Sequence, residues 1–158
     1  MPNYLGCGIG ALLRSIVLLS ALLAGSSAFA VLGQDVSSVQ SDGARIKAAV
    51  NVLPGRSYSV HEMRAPSGTA VKEFVSPAGQ VFGVSWQGPS TPDLRQLLGE
   101  YFDQYMQAAQ TTPRRYRGVL HIETEDLVFE SGGHMRFKVG RAYLRSKLPE
   151  GVVADNVR

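Results

Sequence analysis

The sequence predicts an α+β domain: an antiparallel sheet of five or six strands, built from two three-stranded meanders, with one amphipathic helix packed on it. Three observations lead there. A Pro–Gly loop device occurs twice within fifteen residues, an apolar stripe at helical spacing follows it, and hairpin-length connections replace the longer crossovers of a parallel sheet.

The first thirty residues stand apart. Arg14 is their only charge, an apolar core runs from Ser15 to Ala24, and the polar stretch Gly25–Ala30 ends in Ala28-Phe29-Ala30, small residues where signal peptidase reads them. The core is far short of the roughly 20 apolar residues a spanning helix needs, so residues 1–30 are expected to be a cleaved signal peptide, not a retained anchor or a buried helix. Cys7, the single cysteine, lies before the apolar core, where a lipid anchor would not be attached. It leaves with the signal, so the mature chain has no disulfide, thiolate nucleophile or cysteine-bound metal.

The remaining 128 residues suit one ordinary domain. Net charge falls from +3 to +2 once Arg14 is gone, too small an excess to imply a polyanion, and nucleic acid is the wrong partner for an exported chain. Residues 31–56 read as a loosely attached lead-in, with a weakly helical stretch near Ala44–Val50 ended by Pro54-Gly55; residues 57–158 read as the domain.

Ala65-Pro66-Ser67-Gly68-Thr69 and Ser76-Pro77-Ala78-Gly79-Gln80 are the same loop: proline presets the first turn position, and glycine takes the left-handed position that closes a three-residue hairpin. They delimit strands over 57–65, 69–76 and 80–87. Counting outward sets Glu62 opposite Lys72, Val60 opposite Phe74 and Phe74 opposite Phe82. One face then collects Val60, Phe74, Phe82, Val84 and Trp86, and the other His61, Met63, Val71, Glu73, Val75, Val81 and Ser85.

After Gly88-Pro89 comes the helix, with Thr91 as expected N-cap, Pro92 at the first helical position and Asp93 beside the positive end of the dipole. Leu94, Leu97, Leu98, Tyr101, Phe102 and Tyr105 form its apolar stripe, which ends near Gln110. Tyr101, Phe102 and Tyr105 spread wide enough that core packing or a partner interface would explain them. The second meander follows over 118–124, 127–131 and 134–144, with a tight turn at Gly132-Gly133. Whether the meanders share one sheet is left open.

Tyr58-Ser59-Val60-His61-Glu62, Phe74-Val75-Ser76-Pro77-Ala78-Gly79, Pro92-Asp93-Leu94-Arg95-Gln96-Leu97-Leu98-Gly99 and Ser131-Gly132-Gly133-His134-Met135-Arg136, in that order, resemble the exported bacterial family designated domain of unknown function 2844. The resemblance covers nearly the whole mature chain. It implies export and a shared fold, and no activity, cofactor or catalytic residue.

Three sets of residues carry candidate chemistry. His61, His121 and His134, near Glu62, Glu123 and Glu130, would make a zinc site if their imidazoles converged; their spacing matches no compact ligand motif, and hydrogen-bonded or surface histidines are the alternative. Ser131 or Ser85 with a histidine and an acid would suit a hydrolase, but Ser131-Gly132-Gly133-His134 lacks a nucleophile elbow. Arg114, Arg115, Tyr116 and Arg117 put three cations beside an aromatic ring and would grip an anion, unless Glu123-Thr124-Glu125-Asp126 neutralises them.

The sequence thus reads as an exported protein, periplasmic or secreted, acting as a non-catalytic binding or envelope-associated module. No motif asks for a cofactor. The expected partners are an envelope protein or an anionic envelope component, with no transmembrane span after cleavage. The alternatives are a small hydrolase or metal-dependent enzyme using the histidines, and a structural subunit of an envelope assembly.

Overall fold

The computed structural model of the chain describes residues 31–35, 50–65, 67–113 and 119–158. Seven strands make one antiparallel sheet: β1 Asn51–Pro54, β2 Ser59–Arg64, β3 Ala70–Val75, β4 Val81–Gly88, β5 Leu120–Glu123, β6 Leu127–His134 and β7 Phe137–Leu144. Their order is β1-β2-β3-β4-β7-β6-β5, so the two meanders are joined into one sheet where β7 pairs with β4. The expected five or six strands become seven because Asn51–Pro54, within the supposed lead-in, pairs with β2. Pro54 is tolerated there because an edge strand does not need every N–H.

Both predicted hairpin loops form. Ala65 N donates to Thr69 O at 2.8 Å and Ser76 N to Gln80 O at 2.9 Å, with Gly68 and Gly79 at φ of 86° and 80°. The β2–β3 register is as expected, Glu62 opposite Lys72 and Val60 opposite Phe74. The β3–β4 register is not: Phe74 stands opposite Gly83 and Val75 opposite Val81, leaving Phe82 as an extra residue. That bulge reverses the faces beyond it. Val84 and Trp86 therefore join Met63, Val71 and Val75 in one core, while Val60, Phe74 and Phe82 line the opposite face.

The Gly132-Gly133 turn is also displaced. Both glycines lie within β6, paired with Val139 and Lys138, and the turn is Met135-Arg136. Glycine at 133 meets two demands: its φ is 115°, and a Cβ there would lie 2.2 Å from the Phe137 carbonyl oxygen.

Between the meanders the chain forms α1 Leu94–Leu98, a 3-10 turn Gly99–Tyr101 and α2 Phe102–Thr111. The N-cap is Asp93, not Thr91, because its Oδ1 accepts from Arg95 N at 2.9 Å and Gln96 N at 3.4 Å. Leu97 and Leu98 are fully buried, and Tyr101, Phe102 and Tyr105 pack against the sheet core, with Tyr105 4.6 Å from the Phe129 ring centre.

The opposite face carries a smaller core of Phe74 and Phe82, roofed by Leu148, Val152 and Val157 of the C-terminal segment. Gly83 admits Val157, whose methyl carbons would lie 3.0 and 3.1 Å from a Cβ at that position. Part of segment 31–56 is likewise built in: Leu32 is fully buried, Leu32 N donates to Leu97 O at 3.0 Å, and Gly33 N donates to Val81 O at 2.8 Å. Residues 1–30 and the stretch 44–49 lie outside the described residues. Among the described residues no helix is long and apolar enough to cross a membrane.

Candidate functional site

Strand alternation sends every second side chain to the face that the helices leave open. Because seven strands are in register, this places one residue from each in a line: Asn51, Glu62, Lys72, Ser85, Arg141, Glu130 and His121 are successive cross-strand partners from β1 to β5. A polar row therefore crosses the whole sheet. On one side of it the C-terminal segment covers the face; on the other, the face is an open trough of about 1180 Å³ whose wall includes Gln87, Val119, Phe137 and Val139.

The two arms of the row are ion-paired and its centre is not. Lys72 Nζ stands 3.4 Å from Glu62 Oε1, a pair more than a third exposed on both sides and so weakly held. In the other arm Arg141 Nε donates to Glu130 Oε2 at 2.7 Å, and His121 Nδ1 lies 3.0 Å from Glu130 Oε1. Arg141 Nη1 also donates to the Ala154 carbonyl at 3.0 Å and approaches Asp155 at 3.5 Å, which ties the C-terminal segment to the sheet. Burial works against a charged Glu130, but the hydrogen bonds and charges of Arg141 and His121 outweigh it and hold the carboxyl below the usual glutamate range. Burial also opposes charge on Arg141, and Glu130 more than restores it.

Ser85 is the centre. It is 5 % exposed, stands between Lys72 and Arg141, and makes no side-chain hydrogen bond among the described residues. Its hydroxyl, Arg141 Nη2 and the remaining Lys72 protons are donors without a protein acceptor there.

The three predicted histidines are not brought together. His61 lies on the helix-facing side of β2, 93 % buried, opposite Glu73, and burial lowers its pKa. His121 is on β5 at the far edge and on the other face, and His134 stacks on Phe137 beside the exposed β6–β7 turn. Five strand spacings, roughly 24 Å, separate the first two. Among the described residues no group of three His, Cys, Asp or Glu side chains is placed to hold a metal. Ser131 faces the helices, opposite Leu120 and Gly140, away from His121. Arg114, Arg115, Tyr116 and Arg117 lie outside the described residues.

Sequence reasoning missed Lys72, Arg141 and Glu130 as a group. Only the Glu62–Lys72 link was legible, because it needs one hairpin register; the rest needs the β4–β7 pairing, which no local signal announces. Comparison with known families matches residues 28–157 to the family described as Protein of unknown function (DUF2844). The chain belongs to that family. The DUF2844 match takes in every residue of the polar row. Curated proteins and solved structures return no match to it.

Proposed function

We propose that this DUF2844 protein is an exported, non-catalytic binding module of the cell envelope that receives an anionic group of its ligand over Ser85, between Lys72 and Arg141. The observation that carries the reading is the central gap in the polar row: on the floor of an open trough, a small hydroxyl without a side-chain partner among the described residues stands between Lys72 and Arg141, whose carboxylate partners lie on the outer side of each. Val139, Phe137 and Val119 also line the trough, so a ligand with an apolar portion behind its anionic group fits best. Export rests on Arg14, the apolar run after it and Ala28-Phe29-Ala30.

The hydrolase alternative is weakened by His121. Its Nδ1 lies 3.0 Å from Glu130, as in a general base, but Ser85 on β4 is three strand spacings, roughly 14 Å, away and Ser131 is on the other face, so no candidate serine is within proton-transfer reach.

Octyl phosphate titrated into the protein below its micelle concentration is expected to shift the Lys72, Ser85 and Arg141 amide resonances saturably, and more tightly than inorganic phosphate. Ser85→Ala is expected to weaken the octyl phosphate affinity about tenfold, the loss of one hydrogen bond to a charged group. Unmoved resonances, or an unchanged affinity in the alanine variant, would remove Ser85 from the reading.

A further inference from the structure

We infer that the β6–β7 hairpin tip is a docking point for an anionic lipid surface. His134 pairs with Phe137, so the connecting loop is two residues, Met135 and Arg136. Met135 is 84 % exposed, far more than any other large hydrophobic side chain among the described residues, and Phe137 beside it is 39 % exposed. The Met135 carbonyl oxygen lies 3.0 Å from His134 Nδ1, but the Met135 side chain belongs to neither core cluster among the described residues. A two-residue hairpin favours glycine, asparagine or aspartate, and a methionine there contributes no packing.

Arg136 points the same way. Its φ of 67° makes it the one non-glycine residue with positive φ among the described residues. A side chain in that conformation costs the fold relative to glycine, which would serve the turn better. Strain kept at an exposed position is compatible with a role outside the fold. Arg136 and Lys138 form no salt bridge among the described residues, and from Ser131 to Pro149 the sequence contains no Asp or Glu.

The tip is therefore an apolar apex with a cationic collar on a two-residue hairpin turn. A protein interface of ordinary size needs about 800 Å² of matched surface on each partner, which a convex two-residue turn does not offer. A lipid surface needs no matching shape. The methionine enters the headgroup–acyl boundary, and the cations meet phosphate groups, each adding a favourable increment. This docking does not depend on what occupies the trough, although Phe137 belongs to both regions.

The test is co-sedimentation of the protein, purified in the form in which it accumulates in the cell, with vesicles of mixed phosphatidylglycerol and phosphatidylcholine and with vesicles of phosphatidylcholine alone. Partition onto the mixed vesicles is expected, weakening as salt rises. Met135→Ser is expected to lower it about tenfold, and Arg136→Gly about fivefold. Arg136→Gly relieves the turn and should raise the melting temperature, so lost binding cannot be lost folding. It should also leave the octyl phosphate titration intact, which separates failure here from failure of the trough reading. Equal partition onto both vesicle types, or unchanged partition in both variants, overturns the inference. So does capture of a membrane protein through the tip without any vesicle binding.

Discussion

Replacing Phe129 with alanine is expected to cost about 3–5 kcal/mol of folding stability. Phe129 is 1 % exposed and sits where three elements meet: its ring centre lies 5.6 Å from that of Trp86 on β4 and 4.6 Å from that of Tyr105 on α2. The cavity is hard to close. Trp86 is seated against Gly140, where a Cβ would lie 2.1 Å from the indole, and Tyr105 belongs to a helix that also packs Phe102, Ala108 and Ala109 against the core. Urea unfolding should show a lower midpoint with an unchanged slope. Phe137→Ala, removing the same ring from a 39 % exposed site, should cost under about 1 kcal/mol. Similar losses for the two variants would mean that the helices are not packed on β6 as described.

The contrast between the two phenylalanines marks where the sequence is legible. The loops at Ser67-Gly68 and Ala78-Gly79 were readable because proline and glycine state their backbone requirement directly, and they carried the β2–β3 register with them. The bulge at Phe82 was not readable. An extra residue in one strand leaves the hydrophobic alternation intact on each side of it, yet moves Val84 and Trp86 to the helix face and Ser85 to the open one. The same loss of parity hides the candidate site, since uninterrupted alternation puts Ser85 on the face of His61 instead of that of Lys72 and Arg141. Gly132-Gly133 shows a second ambiguity: glycine is required both by turns and by close strand contacts, and composition does not distinguish them. Helix–sheet packing was legible from the stripe alone, because Leu97, Leu98 and Tyr105 sit at the spacing a buried face dictates.

Arg141→Met should separate the structural from the binding role of the polar row. The side chain keeps its length over the sheet but loses the bonds to Glu130, Ala154 and Asp155, for an expected cost of about 2–3 kcal/mol at neutral pH. The loss should concentrate at the chain end, with amide exchange accelerating at Val157, which the Arg141–Ala154 bond helps hold over Gly83. The pH dependence has a definite sign. Glu130 is held below its ordinary value of 4.5, so the stability it contributes is present above that value and is lost as pH falls through the lower folded-state value. The difference between wild type and Arg141→Met should accordingly be full at pH 7 and shrink below about pH 4.5 as Glu130 takes up its proton in the native state. Glu130→Gln should reproduce the acid-side convergence while leaving Arg141 bound to Ala154. A destabilisation by Arg141→Met that is constant from pH 7 to pH 3 would assign the arginine's effect to packing and its hold on the C-terminal segment, not to the ion pair with Glu130.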